Sequence, residues 1–421
     1  MNVLFISISS LPHVSEHGIS LDLIHEFRRQ GHKMYIICAL EKRDSQETFL
    51  AEEDGCQILR VKIGNNKRAN IIEKGMTTVL LPKKYIAAIK KYYEDVKFDL
   101  VLYPTPPVTQ VKTVEFIKKR DGAKSYLLLK DIFPQNAVDI GMMSKSGVKG
   151  LLYKHFRRVE KKLYKVSDYI GCMSQANVDY IVKHNPEVDP AIVEVCPNSI
   201  EVVDKSIDQE MRRVIREKYG IPKDKKVFIY GGNLGKPQDI PFIIDCMMAV
   251  KDNGDAYFVI VGDGSEYGKL AEYVGSSKQI NLKLMQRLPK EDYDILVGAC
   301  DVGLIFLDHR FTIPNFPSRL LGYMQAKIPV LAVTDPNTDI GKVITEGEFG
   351  WWCEGNDVKT FNEVVKSLTH LDLIPMKDKE FIYLQHNYSV SKAYNTGLQA
   401  FTSRSRQRSK AGCSRISGKV S

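Results

Sequence analysis

The chain has 421 residues, of which 43% are hydrophobic and 26% charged, and its mean hydropathy is -0.22. At roughly 100–200 residues per domain, two domains are the natural expectation, and the apolar mass excludes a chain disordered throughout. The formal charge of +9 is unevenly spread: residues 402–421 hold +6, residues 145–166 hold +7, and the remainder sums to −4. A uniformly basic, nucleic-acid-binding chain is therefore not expected.

No stretch free of charged residues reaches the roughly 20 apolar residues of a membrane span. Met1-Asn2-Val3 runs straight into apolar sequence with no basic region before it, so no signal peptide is expected. The eight cysteines form no C-x-x-C pair and sit mostly in apolar runs. They read as reduced core residues of a cytoplasmic protein, with little support for a structural zinc site.

In chain order, Asn2–Ile8 reads as a buried strand, Ser9–Glu16 as a loop, Gly18–Gln30 as an amphipathic helix, and Lys33–Leu40 as a second strand. Strands that are apolar along their whole length belong in a parallel sheet covered on both faces. The pattern continues through Leu100–Tyr103, Tyr126–Leu129, Tyr169–Met173 and Ala191–Val195. A charge-dense segment, Glu201–Lys226, separates this half from a second one with the same order of elements. There, Val227–Tyr230, Tyr257–Val261, Val302–Leu307 and Val330–Val333 read as strands. The expected fold class is α/β, with two doubly wound domains at 1–200 and 201–376. A C-terminal helix at 377–401 is expected to pack back toward the first domain, and a disordered basic tail to occupy 402–421.

Two segments carry the chemistry. Tyr230-Gly231-Gly232-Asn233-Leu234-Gly235-Lys236 lies between a strand and a helix, where glycines let backbone N–H groups approach an anion and Lys236 adds a cation. Pro317-Ser318-Arg319-Leu320 opens a second helix, with Ser318 placed to cap or donate and Arg319 able to pair with phosphate. Either segment alone is equally a tight turn or an ordinary capped helix. Together they point to a nucleotide diphosphate.

The order and spacing of these segments resemble the retaining GT-B glycosyltransferases of the family 4 type, which build bacterial surface polysaccharides. The resemblance also rests on Val261-Gly262-Asp263-Gly264, on Leu288-Pro289 before a helix, and on Tyr323–Val330. In the first half, Lys130-Asp131-Ile132-Phe133-Pro134 and Pro197-Asn198-Ser199-Ile200 support it. It implies two Rossmann-like domains facing a cleft, the first for the acceptor and the second for the nucleotide-sugar donor. Position by position, it implies that Gly232, Asn233, Leu234, Gly235 and Lys236 contact the donor diphosphate. Pro317, Ser318, Arg319 and Leu320 would hold phosphate and ribose, and Gly262, Asp263 and Gly264 would end the strand beside them. Arg287 and Leu288 fall at the nucleobase, and Asp131 beside the sugar. Asp131, Lys236 and Arg319 are the catalytic candidates. His17 and Gly18 in the first loop, and His309 after a strand, are candidate acceptor or sugar contacts.

One departure stands out. The family's usual Glu-x7-Glu pair is replaced by Pro314 and Gly322. That leaves Asn315 or a backbone group to take the ribose, a weakened donor site, or an inactive protein.

The resemblance further implies a metal-independent transfer with no cofactor, and a nucleotide-sugar donor, UDP-linked and of the N-acetylhexosamine type. The acceptor would be a polyprenyl-diphosphate-linked saccharide in capsule or O-antigen synthesis, reached from the inner face of the plasma membrane. Leu152, Phe156, Val159 and Leu163 recur at helical spacing among lysines and arginines. Such a helix can lie on an anionic membrane surface, although burial of its apolar stripe is the first expectation. The alternatives are a sugar-nucleotide epimerase of the same fold and a non-catalytic binding subunit.

Overall fold

The computed structural model describes residues 1–65 and 71–395, so the expected tail at 402–421 lies outside the described residues. The chain forms two compact units. The first comprises residues 1–134 and 144–201 and resumes at Ser389; the second comprises 135–143 and 202–388.

In the first unit, β1 (Asn2–Ile6), β2 (Lys33–Leu40), β3 (Phe49–Glu53), β4 (Cys56–Lys62), β5 (Leu100–Pro104), β6 (Lys124–Leu129), β7 (Tyr169–Cys172) and β8 (Val193–Val195) form one sheet. Its order is β3-β4-β2-β1-β5-β6-β7-β8. Every pairing is parallel except that of β3 with β4. Those two strands were not anticipated. They are joined at Asp54-Gly55, where both residues have positive φ (48° and 68°), the backbone of a two-residue hairpin turn. Helices α1 (Ile19–Arg29), α2 (Ile71–Tyr92) and α3 (Val111–Asp121) connect the earlier strands. The apolar face of α1 places Leu21, Ile24 and Phe27 against Phe5, Ile36 and Tyr126.

Residues Gln135–Asp139 form a short helix, α4, that clusters with the second unit, so the expected domain at 1–200 is interrupted there. Helices α5 (Gly147–Val166) and α6 (Gln175–His184) flank β7. The stripe on α5 divides along its length. Leu163 is fully buried, but Leu152 is 50% exposed, and Val148 and Leu151 are more exposed still. Burial of the whole stripe is therefore corrected: the first two turns of α5 present apolar side chains to solvent beside Lys149 and Lys154.

The second unit begins with α7 (Gln209–Lys218), capped by Asp208, whose carboxylate accepts from Met211 N. Its strands are β9 (Lys226–Asn233), β10 (Ala256–Asp263), β11 (Leu282–Met285), β12 (Val302–Phe306), β13 (Val330–Thr334) and β14 (Gly350–Glu354), ordered β11-β10-β9-β12-β13-β14. All are parallel; the helices between them are α8 (Ile240–Ala249), α9 (Tyr267–Ser277), α10 (Lys290–Gly298), α11 (Arg319–Ala326) and α12 (Ile340–Glu346), and α13 (Val358–Thr369) follows β14. Phe228, Tyr230, Phe258, Phe306 and Phe361 fill the core.

Over its described residues, to 395, the single helix expected at 377–401 is instead two. Helix α14 (Ile374–Asn387) packs against α11 within the second unit, and the chain changes unit between Tyr388 and Ser389. Ser389 caps the short α15 (Val390–Ala393), and Val390 N donates to Ile200 O in the first unit.

Candidate donor-nucleotide site

In a parallel sheet, ligands bind beyond the carboxyl ends of the strands. At that edge of the second unit lies a cavity of about 450 Å³, lined by Gly231, Gly232, Asn233, Val261, Gly262, Asp263, Arg287, Leu288, Lys290 and Tyr293. Strands β9 and β10 run in register here, Gly232 beside Gly262 and Asn233 beside Asp263. Glycine is required twice over. A Cβ on Gly262 would meet Gly232 O at 2.0 Å, and one on Gly231 would meet Tyr293 Oη at 1.9 Å.

Arg319, the first residue of α11, supplies the charge. Its guanidinium carbon stands 4.2 Å above the ring of Tyr230. Its Nη2 would lie 3.2 Å from a Cβ on Gly232. Nη1 is buried with no hydrogen-bond partner, and among the described residues no carboxylate forms an ion pair with it. Three tyrosines frame the side chain. Tyr230 Oη donates to Asn233 O at 2.7 Å, and Tyr323 Oη is shared between Ile229 O and Leu304 O at 3.1 and 3.0 Å. Burial raises the Tyr293 hydroxyl well above its ordinary range and holds Tyr323 up at about 12, so both rings are neutral framework. A cation with one buried, unused donor beside glycines at the strand ends is an arrangement that suits an anion.

The residues expected from sequence do not all arrive at the cavity. Gly232, Asn233, Gly262, Asp263, Arg287 and Leu288 line it. Lys236 is exposed with no ion pair among the described residues, at the start of a short 3-10 turn, Lys236–Gln238. Asn233 serves that turn: its Nδ2 donates to Gln238 Oε1 at 2.9 Å, and Gly235 N donates to the same oxygen. Leu234 is corrected, since its side chain is buried in the core, its N–H donates to Asp263 O and its carbonyl accepts from Glu266 N. Leu320 is likewise fully buried. Gly264 follows β10 with φ 157° and packs on the backbone of Leu234. Pro317, Ser318 and Asn315 lead into α11, half-buried. Around Gly322, on α11, a Cβ would meet nothing within 4 Å, whereas Pro314 is buried. Sequence reasoning missed Tyr293 and Lys290. Their only signal was their position in the helix after Leu288-Pro289.

His309 lies at the end of β12. Its Nδ1 is 3.5 Å from Asp239 Oδ2, a residue held at φ 52° while it caps α8. Burial, reinforced by Asp308, holds the Asp239 carboxyl above its usual value. Asp308 remains below its usual value despite burial, because Arg310 clamps it.

In the first unit, Asp131 follows β6, and its carbonyl accepts from Thr105 Oγ1 at 3.2 Å. Its neighbour Lys130, which sequence reasoning passed over, is pulled by burial down to about 8. Burial pushes the nearby Cys196 thiol up to about 11. His17 is exposed and hydrogen-bonded to Asp22, whose carboxylate also accepts from Gly18 N. No helix among the described residues is long and apolar enough to cross a membrane.

Residues 211–383 match the family of glycosyl transferases group 1. The chain is 26% identical over 333 residues to a Pseudomonas aeruginosa protein named as glycosyltransferase WbjE, covering 78% of this chain and 80% of WbjE. It is 21% identical over 256 residues to WcaI of Escherichia coli (strain K12), named as a colanic acid biosynthesis glycosyl transferase, covering 59% and 60%. The crystal structure of Anabaena HepE in complex with UDP superposes with a TM-score of 0.67 at 13% identity, over 96% of this chain and all of HepE. The fold is thus GT-B, and residues 211–383 are similar to the glycosyl transferases of group 1.

Proposed function

We infer that the protein is a retaining, metal-independent transferase that moves a sugar of the N-acetylhexosamine type from a UDP-sugar to a polyprenyl-diphosphate-linked saccharide in capsule or O-antigen synthesis. The observation that carries the donor half is the buried Nη1 of Arg319, which has no hydrogen-bond partner, on a guanidinium that stands beside Gly232. That arrangement favours a diphosphate, and the similarity to HepE, whose crystal structure contains UDP, supports a uridine nucleotide. Arg319 and Lys236 would then stabilise charge developing on the departing diphosphate, a task that needs fixed cations rather than a proton donor. Asp131 and His309 would take the sugar. With no glutamate at 314 or 322, the ribose falls to Asn315 or to backbone groups. The name of WcaI, a colanic acid biosynthesis glycosyl transferase, supports polysaccharide synthesis.

A lipid-linked acceptor calls for a membrane-facing surface. The exposed Val148, Leu151 and Leu152, interleaved with lysines on α5, suit the inner face of an anionic bilayer. The test is a panel of UDP-, GDP- and dTDP-sugars screened by thermal stabilisation, followed by product analysis with and without a membrane extract. A shift confined to UDP-sugars, with UDP release dependent on the extract, is expected. Turnover of donor with no acceptor would establish the epimerase instead, and no shift with any nucleotide sugar would defeat the reading.

A further inference from the structure

We propose that the first unit carries a transition-metal site of the zinc class, formed by His17, Asp22 and His25 with Glu201 alongside. The site is independent of what the donor unit transfers. One ligand atom from each of the first three residues lies within 4.8 Å of the others. Two imidazoles and a carboxylate are the donor set that Zn²⁺ favours over Mg²⁺ or Ca²⁺. Tetrahedral Zn–N and Zn–O bonds of about 2.0–2.2 Å ask for ligand atoms about 3.3 Å apart. The cluster needs a contraction of roughly an ångström, which the loop before α1 can supply.

The surroundings are arranged as a ligand's supports are. His25 Nε2–H donates to the carbonyl of Val14 at 2.5 Å, which fixes the tautomer and leaves Nδ1 as the lone-pair nitrogen. Asp22 is 3% exposed, and its two oxygens are oriented by Gly18 N at 3.2 Å and Glu201 N at 2.9 Å. His17 Nδ1 stands 3.0 Å from Asp22 Oδ1 and 3.6 Å from Glu201 Oε2.

Charge also agrees. Among the described residues Arg29 pairs with Glu26 and Glu201, whereas the Asp22 carboxylate has no ion pair with a lysine or arginine and keeps its charge for a cation. His25 also lines an open depression of about 490 Å³ with Ser15, Arg28, Arg29 and Asp54, a route from solvent. The comparable trio in the second unit, Asp239, Asp308 and His309, lacks this balance. Arg310 already lies on Asp308, with Nε at 2.9 Å, and supplies the cation itself. Bound at His17, Asp22 and His25, an ion would clasp the loop after β1 to α1 and to the segment after β8.

The experiment uses the full chain, stripped with a chelator and titrated with ZnCl₂ by calorimetry, and with CoCl₂ by visible absorption. One saturable Zn²⁺ per chain is expected, with the intense absorption of four-coordinate cobalt, resistant to excess Mg²⁺. His17→Ala and His25→Ala should each weaken binding by at least about tenfold. Asp22→Asn also disturbs backbone ties, so the exposed His17 provides the cleaner variant. Absence of saturable Zn²⁺ binding in the wild type would overturn the proposal. So would undiminished affinity in a His17→Ala/His25→Ala protein whose circular dichroism matches the wild type, because the ion would then sit elsewhere.

Discussion

Replacing Arg319 by methionine separates what this side chain does for the fold from what it does for the ligand. In the folded protein its gains and costs nearly cancel. Stacking on Tyr230 at 4.2 Å contributes about 1–2 kcal/mol for a desolvated cation. The buried Nη1 without a partner costs about 1–3 kcal/mol. Methionine keeps the apolar volume and removes both terms, so stability should change by less than about 2 kcal/mol, on the side of a gain. With a diphosphate present, the guanidinium would make two charge-assisted hydrogen bonds, together about 3–4 kcal/mol. At 1.4 kcal/mol per decade, UDP affinity should fall roughly a hundred- to a thousandfold. Calorimetric UDP titration beside thermal unfolding measures both quantities on one preparation. Arg319→Lys, which keeps the charge and loses the fork, should fall between the two. A methionine variant that unfolds at the same temperature and binds UDP within threefold of wild type would refute the assignment of this site.

Three other substitutions probe the framework. Gly231→Ala drives a methyl into Tyr293 Oη and should cost about 1–3 kcal/mol by overpacking while closing the cavity; retention of UDP binding at wild-type affinity would contradict the wall described here. Glu380 on α14 is fully buried, with neither oxygen hydrogen-bonded, and its carboxyl is raised well above its usual value by burial, Lys377 only partly opposing this. Because the folded state holds that proton more tightly than the unfolded one, stability should decline as pH rises above the unfolded value near 4.5. Glu380→Gln should flatten urea-unfolding free energies between about pH 5 and pH 8, and parallel slopes for the two proteins would contradict this. Asp301 has the opposite sign: Arg212, Arg216 and Val227 N hold it below its usual value despite burial. Its contribution is present at neutral pH and lost as acid carries it through the lowered value, and Asp301→Asn should cost about 3–5 kcal/mol at pH 7 by leaving Arg216 unpaired.

The core strands were legible because a strand covered on both faces is apolar at every position. Met34–Leu40 and Tyr126–Leu129 announce themselves in this way. The edge pair β3–β4 was missed because Phe49–Glu53 is half polar and largely exposed, although Asp54-Gly55 is a strong local sign of a hairpin. In the site, the glycine loop and Arg319 were found because they break the apolar pattern where a strand gives way to a helix. Tyr293, Lys130 and the His17–Asp22–His25 group were not, since each acquires meaning only from what folds against it. Leu234 was misassigned for the converse reason: a residue within a ligand loop can point entirely into the core.

The switch of unit at Ser389 bears on how the chain is made. Tyr394, whose hydroxyl meets His32 at 2.8 Å and whose ring packs edge-on to Phe27, completes a core begun by the first forty residues. During synthesis, therefore, the first unit emerges early but stays unfinished until residues 389–395 leave the ribosome. The second unit, lacking only a nine-residue insert that has already been made, can close beforehand. A premature stop just before Ser389 would thus damage the first unit, whose other residues all precede Val202.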